Sequence, residues 1–274
     1  MLDRFNIELI ATTEGAVDDL PYHRAMADTP MAGRVITTFR PDDVVDPERE
    51  DFADNLALLA ELTGEDTGSW NGYLDALRAR RAVFREFGAT ATDHGHPTAA
   101  TVDLDRAACE RLFARCRAGD MTAAEAELFR AQMLTEMAGM SLDDGMVMQI
   151  HAGSRRNVNP EVFQKFGRDK GADIPSPTNF IDGLAALLDR YGNESALEII
   201  LFTLDETTYA RELAPLAGHF PCLRLGPPWW FHDSPAGFER YFDQVVETAG
   251  YHNLAGFNDD TRAFLSIPAR HQVW

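Results

Sequence analysis

The alternation of short apolar runs with longer segments of helical periodicity restricts the fold of this chain more than any other feature of its sequence. Seven such runs occur: "FNIELIATT" (5–13), "RVITTFRP" (34–41), "ATATDHG" (89–95), "MVMQIHAG" (146–153), "LEIILFTLD" (197–205), "CLRLGPPWW" (222–230) and "NLAGFND" (253–259). Several are apolar throughout, which is typical of parallel strands that are buried on both faces of a sheet. Strands that alternate with helices in this way predict an α/β fold.

Two parallel architectures fit this pattern, and the polar residues at the strand ends separate them. A doubly wound sheet usually carries a glycine-rich phosphate turn, but "ATTEGAV" (11–17) has a single glycine. In a (β/α)8 barrel the active site lies at the carboxyl ends of the strands. Polar and aromatic residues gather at those predicted ends: Thr12, Thr13, Arg40, Asp93, His94, His151, Thr203, Asp205, Trp229, Trp230, Asp260 and Arg262. This concentration favours a TIM-type barrel, for which seven strands are one short of closure.

The two longest gaps between the apolar runs contain apolar residues three and four positions apart, which predicts helices. They cover residues 51–88 and 104–140, and we expect both to be helical insertions within a single barrel domain that spans residues 1–274. Cys109 and Cys116 lie seven positions apart on one helical face, so we expect both in the core.

The charge balance narrows the range of partners. The formal net charge is −19, which argues against nucleic acid or an anionic membrane, since both require basic patches. An anionic small molecule stays possible, because a local cluster of arginines can outweigh a distant net charge.

No apolar run is long enough to cross a bilayer, the N-terminus lacks the features of a signal peptide, and the three cysteines form no disulfide framework. These features predict a cytoplasmic protein.

His151 and Asp260 are the first candidates for chemistry. Each follows a predicted strand, where a histidine or an aspartate can ligate a metal or move a proton. A hydrogen-bonded structural histidine and a polar turn are the alternatives. Arg40, Arg156 and Arg262 also lie just past three strand ends, and converging guanidinium groups suggest the capture of a carboxylate, with ordinary surface ion pairs as the alternative.

The remaining candidates would shape a binding pocket. Trp229 follows "GPP" (226–228) and could wall a sugar, or plug one end of the barrel. Asp93 and His94 lie at a strand end in "DHGH" (93–96) and are candidate substrate-binding residues. His94 and His96 also form a His-x-His pair, a spacing that can hold a metal when the strand is extended. For His94 a structural role stays open, and for His96 it is the preferred interpretation.

Six segments, in chain order, resemble the uronate isomerases of the amidohydrolase superfamily: "FNIELIATT", "TFRPD", "TDHG", "MQIHAGSRRN", "WWFHD" and "NDDTRAFLSIPARH". The resemblance runs through nearly the whole chain and is most specific in the last two segments. It implies an amidohydrolase-type (β/α)8 barrel, here incomplete with strands 2–8, and extra helices between the third and fourth strands. The family's first-strand His-x-His motif and a nearby tyrosine have no counterpart in this sequence, and Asn258-Asp259 stands where the family typically has leucine-threonine.

The resemblance also implies roles for individual residues. His151 would be a metal ligand, and Asp260 would be both a metal ligand and the catalytic base, with Arg262 as the second catalytic residue. The metal would be a divalent ion such as zinc. Arg40, Arg156 and Arg262 would hold substrate oxygens, and Trp229 would line the sugar pocket.

The function that follows from the resemblance is that of an aldose–ketose isomerase, an intramolecular oxidoreductase. It would convert D-glucuronate to D-fructuronate and D-galacturonate to D-tagaturonate through an enediol. Its partner would be a small hexuronate. The open edges of a seven-stranded parallel sheet predict either self-association into a homo-oligomer or a shifted strand that closes the gap. Two alternatives remain: a metal-dependent hydrolase of the amidohydrolase type, and a catalytically inactive barrel.

Overall fold

The chain forms two compact units in its computed structural model, which describes residues 2–168, 170, 173–229, 232–261 and 263–274. Unit 1 comprises Met1–His94 and Ala100–Met148, and unit 2 comprises Gly95–Ala99 and Gln149–Trp274.

Unit 1 contains parallel strands with helices between them. Its strands are β1 (Ile10–Gly15), β2 (Val35–Arg40), the first part of β3 (Ala91–His96) and the start of β4 (Val147–Ala152). Its helices are α1 (Pro21–Met26), α2 (Asp42–Val45), α3 (Phe52–Thr63), α4 (Trp70–Glu86), α5 (Arg106–Ala118) and α6 (Ala123–Asp144). Strands β1 and β2 are parallel and pair from Ile10 with Val35 to Gly15 with Arg40, and β2 pairs in parallel with β3 at Phe39 and Thr92.

Helices occupy both of the segments that were predicted to be helical, and capping explains where two of these helices begin. Ser69 caps α4 by accepting a hydrogen bond from the N–H of Gly72, at 3.1 Å. Thr122 and Glu125 form a capping box at the start of α6. Aromatic rings join these helices: Tyr73 of α4 stacks on Phe113 of α5 at 4.6 Å between ring centroids. The predicted core positions of two cysteines are confirmed as well, since Cys109 and Cys116 are both buried.

Unit 2 holds the remaining elements. Its strands are the end of β3, most of β4, β5 (Ser154–Arg155), β6 (Ile174–Pro175), β7 (Ile199–Thr203) and β8 (Leu223–Leu225). Its helices are α7 (Pro160–Phe166), α8 (Phe180–Tyr191), α9 (Ala214–His219), α10 (Pro235–Ala249) and α11 (Ile267–Val273), with a π-helix at Tyr209–Leu213. Strands β7 and β8 are parallel, whereas the short β5 and β6 pair antiparallel.

The main sheet has six strands in the order β1-β2-β3-β4-β7-β8, which confirms the predicted parallel α/β fold. Within the described residues the sheet does not close into a barrel. The seventh run, predicted as a strand over 253–259, contributes only one parallel bridge, between Leu254 and Leu225. Gly256 follows with a φ of +77°, a left-handed conformation that does not continue a strand. Strand β8 is shorter than predicted, since Pro227 and Pro228 have no N–H to donate to a neighbouring strand.

None of the helices in the described part of the chain combines the length and the apolar character that crossing a bilayer requires.

Candidate functional site

A cavity of about 270 Å³ opens in unit 2, and several of the sequence candidates line it. Its lining consists of His151, Phe202, Pro227, Pro228, Trp229, Asp233, Asn258, Asp259, Asp260 and Arg270. The volume is close to the lower end of the usual range for small-molecule pockets, roughly 300–1,000 Å³. Strands β4 and β7 supply residues near their carboxyl ends, and the segment after β8 supplies others, which is the end of a parallel sheet where active sites form.

His151 is fixed at this cavity by two aromatic side chains. It is the fifth residue of β4, and its ring stacks on Phe202 of β7 at 4.3 Å between centroids and an interplanar angle of 13°. The edge of Trp229 meets it at 4.9 Å and 62°. These contacts restrain the imidazole plane on two sides. His151 therefore lines the cavity.

The carboxylate of Asp260 is held by Trp229. The indole Nε1–H donates a hydrogen bond to Oδ2 of Asp260 at 3.1 Å, although 31 positions separate the two residues in the sequence. Asp260 itself is exposed and has a φ of +42°. Aspartate is one of the few residues other than glycine that enter the left-handed region with some frequency. The predicted base is thus brought together with the predicted sugar-binding tryptophan.

An ion-pair network that the sequence did not reveal involves Asp259, the residue next to Asp260 in the chain. Arg270 of α11 donates from Nε to Oδ1 of Asp259 at 3.0 Å and from Nη2 to the carbonyl oxygen of Asp259 at 2.8 Å. The same Nη2 contacts Oδ2 of Asp233. Burial raises the pKa of the Asp233 carboxyl, and Arg270 opposes that shift while Asp259 and Asp260 add to it. His271 also reaches Asp259, at 2.6 Å from Nε2 to Oδ2.

Two other sequence candidates meet each other in unit 1. Arg40, at the end of β2, pairs with Oδ2 of Asp93 at 3.2 Å and with Oδ2 of Asp42 at 2.7 Å. His94 is fully buried, and its Nε2 lies 2.9 Å from the hydroxyl of Thr92. Successive side chains in a strand point to opposite faces, so Asp93 and His94 lie on different faces of β3. The structure therefore brings together Arg40 and Asp93, but gives His94 a different neighbour.

The remaining predicted residues lie elsewhere or cannot be described. Nε of Arg156 lies 3.8 Å from Oδ2 of Asp173, and within the described residues Arg156 is not part of the cavity lining. Arg262, predicted to be catalytic and substrate-binding, lies outside the described residues, as does Trp230.

A metal requires more ligands than the described residues bring together. His151 and Asp260 could supply two, whereas a zinc site usually has four, three or more of them from the protein. No group of three histidine, cysteine, aspartate or glutamate side chains in the described part of the chain is arranged to hold a metal ion. The described residues thus do not fit a complete metal site.

The residues that sequence reasoning missed are Phe202, Asp233, Asp259 and Arg270. Asp233 and Arg270 do occur in the two most specific segments, "WWFHD" and "NDDTRAFLSIPARH". The sequence therefore pointed to both segments, but nothing in it showed that Asp233 and Arg270, 37 positions apart, would contact each other.

Comparison with known proteins gives consistent results. The family model for glucuronate isomerase matches residues 1–274. A uronate isomerase of Rhizorhabdus wittichii is 66% identical over 273 residues, which cover 100% of this chain and 59% of that protein.

Two solved structures are similar in fold as well as in sequence. The crystal structure of glucuronate isomerase from Caulobacter crescentus has a TM-score of 0.96 at 60% identity, over 99% of this chain and 57% of that one. The uronate isomerase structure from Thermotoga maritima has a TM-score of 0.93 at 28% identity, over 99% of this chain and 60% of that one. These similarities confirm the predicted barrel-type α/β fold, and the chain spans a little under three-fifths of the length of most of these relatives.

Proposed function

Because this chain belongs to the glucuronate isomerase family, we propose that it binds D-glucuronate and D-galacturonate and takes part in their isomerisation to D-fructuronate and D-tagaturonate. The observation that carries the proposal is the hydrogen bond from Trp229 to Asp260 in a cavity that His151 also lines. The cavity thereby presents the carboxylate of Asp260, the indole of Trp229 and the imidazole of His151 to one ligand. The alternatives, a metal-dependent hydrolase and an inactive barrel, have no comparable support.

The reaction moves one proton between neighbouring carbons of the sugar acid. A base takes the proton from carbon 2 of the open-chain aldose, next to the aldehyde, the aldehyde oxygen gains a proton, and an enediol forms. Return of the proton to carbon 1, with loss of the proton from the carbon-2 hydroxyl, gives the ketose. We assign the base to Asp260, because its carboxylate is oriented by a donor and opens to the cavity. A positioned acid or base contributes about 10²–10⁴-fold to such a step.

Trp229 has two tasks in this proposal. Its Nε1–H orients Asp260, and its ring offers an apolar wall for the sugar. His151, fixed by Phe202, adds a polar group within the same cavity. If a divalent metal such as zinc binds, His151 and Asp260 would be two of its ligands.

The carboxylate of the substrate needs cationic groups in a chain of net charge −19. We propose Arg40, Arg156 and Arg262 for this role, as the family resemblance implies, with Asp93 and His94 as further substrate contacts. Arg40 and Arg156 pair with Asp93 and Asp173 in the structure, so a bound sugar acid would compete with these carboxylates. Guanidinium groups bind carboxylates with two parallel hydrogen bonds, which would orient the substrate.

We also propose that residues 1–274 form a single barrel domain and that the protein is cytoplasmic. We further propose that it assembles into a homo-oligomer. The three cysteines, Cys109, Cys116 and Cys222, are buried and free of disulfides. Burial raises the pKa of the Cys109 thiol to about 11 and that of Cys116 to about 12, so neither is a nucleophile near neutral pH. Light scattering coupled to size-exclusion chromatography tests the oligomeric state.

The test of function is an isomerisation assay on this 274-residue chain. D-Glucuronate and D-galacturonate are each incubated with it, and ketose formation is followed by NMR, with D-glucose as the matched substrate that lacks a carboxylate. We expect ketose from both acids and none from glucose. If neither acid is converted and calorimetry detects no binding of either, the proposal is wrong.

A further inference from the structure

Arg270 ties together two segments of unit 2 that are distant in sequence. Its guanidinium contacts Asp233, just before α10, and both the side chain and the carbonyl oxygen of Asp259. Side chains of these three residues are only partly exposed, with 32% for Arg270 and 12% for each aspartate. Charge-assisted hydrogen bonds are stronger than neutral ones, and partial burial reduces their competition with water.

The carbonyl of Asp259 is the important contact, because the peptide bond joins it directly to the nitrogen of Asp260. Planarity of the peptide means that holding this oxygen fixes the orientation of the whole peptide unit. Asp260 follows with a φ of +42°, a conformation that the surrounding structure must maintain. Its carboxylate is restrained at the other end by Trp229, at 3.1 Å.

We propose that Arg270 is a positioning residue that fixes the peptide between Asp259 and Asp260 and so directs the Asp260 carboxylate at the reacting carbon. This inference rests on the proposed role of Asp260 as the base. Arg270 acts through the backbone and takes no proton itself. Its positive charge also offsets the repulsion between Asp233 and Asp259, which would otherwise separate the two segments.

The most direct readout is the indole N–H resonance of Trp229, because it reports the hydrogen bond to Asp260. The chain has four tryptophans, and the Trp229→Phe variant identifies the resonance of interest in a ¹⁵N–¹H spectrum. In Arg270→Met we expect an upfield shift of this resonance, since the acceptor moves away. Arg270→Lys keeps the positive charge, so its Trp229 resonance should lie between those of wild type and Arg270→Met.

The matched control is Arg240→Met, which removes another arginine of unit 2 that binds a carboxylate, Glu206, at 3.0 Å. The Trp229 resonance should stay in place in this variant. An unchanged Trp229 resonance in Arg270→Met, with the other three indole signals at their original positions, would overturn the proposal. If Arg270→Met does not fold, the same comparison is made with Arg270→Lys and with Asp233→Asn, each of which should move the Trp229 resonance.

Kinetics separate positioning from substrate binding. A misplacement of about 1 Å can cost roughly 10²-fold in rate, so we expect Arg270→Met to lower kcat by 10- to 100-fold with KM nearly unchanged. An effect confined to KM would mean that Arg270 binds the substrate and would contradict a positioning role. The spectroscopic test needs no turnover, so it can fail or succeed independently of the isomerase proposal.

Discussion

The indole nitrogen of Trp229 lies 3.1 Å from Oδ2 of Asp260, and this hydrogen bond joins the loop after β8 to the segment that follows the bridge at Leu254. The same indole meets the ring of His151 edge-on at 4.9 Å. One side chain therefore fixes the positions of two others in the cavity. A mutation that removes the Nε1–H donor of Trp229 therefore tests this arrangement directly.

Replacing Trp229 by phenylalanine removes the donor but keeps an aromatic ring. A hydrogen bond to a charged group contributes about 1.5–3 kcal/mol, so we expect kcat/KM for D-glucuronate to fall by roughly 10- to 100-fold. Trp70→Phe is the control, because Trp70 is similarly buried but lies in unit 1. Equal losses in the two variants, per folded molecule, would contradict the assigned role.

Asp43 of α2 should make the stability of the chain depend on pH. Burial raises the pKa of its carboxyl from the ordinary 3.8 to about 6, and hydrogen bonds from the backbone N–H groups of Ala16 and Val17 oppose the shift. A carboxyl whose pKa is raised on folding stabilises the protein below its unfolded pKa, and this stabilisation is lost as the pH rises through the folded pKa.

The side chain of Asp43→Asn does not ionise, so this variant avoids the loss of stability that ionisation of Asp43 causes between pH 4 and pH 7. We expect the free energy of unfolding of the variant, relative to wild type, to rise by up to about 3 kcal/mol between pH 4 and pH 7. Urea unfolding at several pH values measures this difference. The exposed Asp54→Asn is the control, and the account of Asp43 fails if both variants follow the same pH profile.

Arg81 of α4 should matter far more for stability than its neighbour Arg78. Its side chain is 1% exposed and donates to Asp144 from Nε at 2.7 Å and from Nη2 at 2.8 Å. Removing one partner of a buried pair typically costs about 3–5 kcal/mol. Because Asp144 is 18% exposed, we expect Arg81→Met to lose about 3 kcal/mol.

Arg78→Met is the matched control on the same helix. Its pair with Asp75, at 3.1 Å, is exposed on both sides, and such pairs contribute at most about 1 kcal/mol. Urea denaturation followed by circular dichroism distinguishes the two variants. A similar loss in both would show that the Arg81 pair is not a buried stabilising interaction.

The capping box of α6 gives a smaller, local effect. The Thr122 hydroxyl accepts from the N–H of Glu125 at 3.2 Å, and Oε2 of Glu125 accepts from the N–H of Thr122 at 2.8 Å. We expect Thr122→Ala to lower the free energy of unfolding by about 1 kcal/mol and Thr122→Ser to leave it nearly unchanged. The interpretation of the helix start is wrong if serine is as destabilising as alanine.

Much of the fold could be predicted from the sequence, because the periodicity of apolar residues reflects burial directly. Helices α3 (Phe52–Thr63) and α4 (Trp70–Glu86), for example, both lie within the segment 51–88 that the pattern indicated. The helix α7 was not predicted, although Asn159 caps it and Pro160 suits its first turn. The helix is only seven residues long and buries none of them, so it has no periodic apolar face to detect.

The site was predicted only in part, since sequence patterns locate strand ends but not the contacts between distant residues. His151, Trp229 and Asp260 could be singled out because each lies near or just past the carboxyl end of an apolar run. Arg270 could not, because it lies on the short helix α11 and contacts Asp233, which stands 37 positions earlier in the chain. Such a contact depends on how the segments pack and leaves no periodic pattern in the sequence.

The most direct test of the central claim is the loss of the carbon-2 proton signal of D-glucuronate in D₂O, followed by NMR with wild-type chain and with Asp260→Asn. We predict that the signal disappears with wild type as ketose forms, and at least 100-fold more slowly with Asp260→Asn. Asp189→Asn, an exposed aspartate of α8, should match wild type. Equal rates with wild type and Asp260→Asn would contradict the assignment of Asp260 as the base that takes the proton.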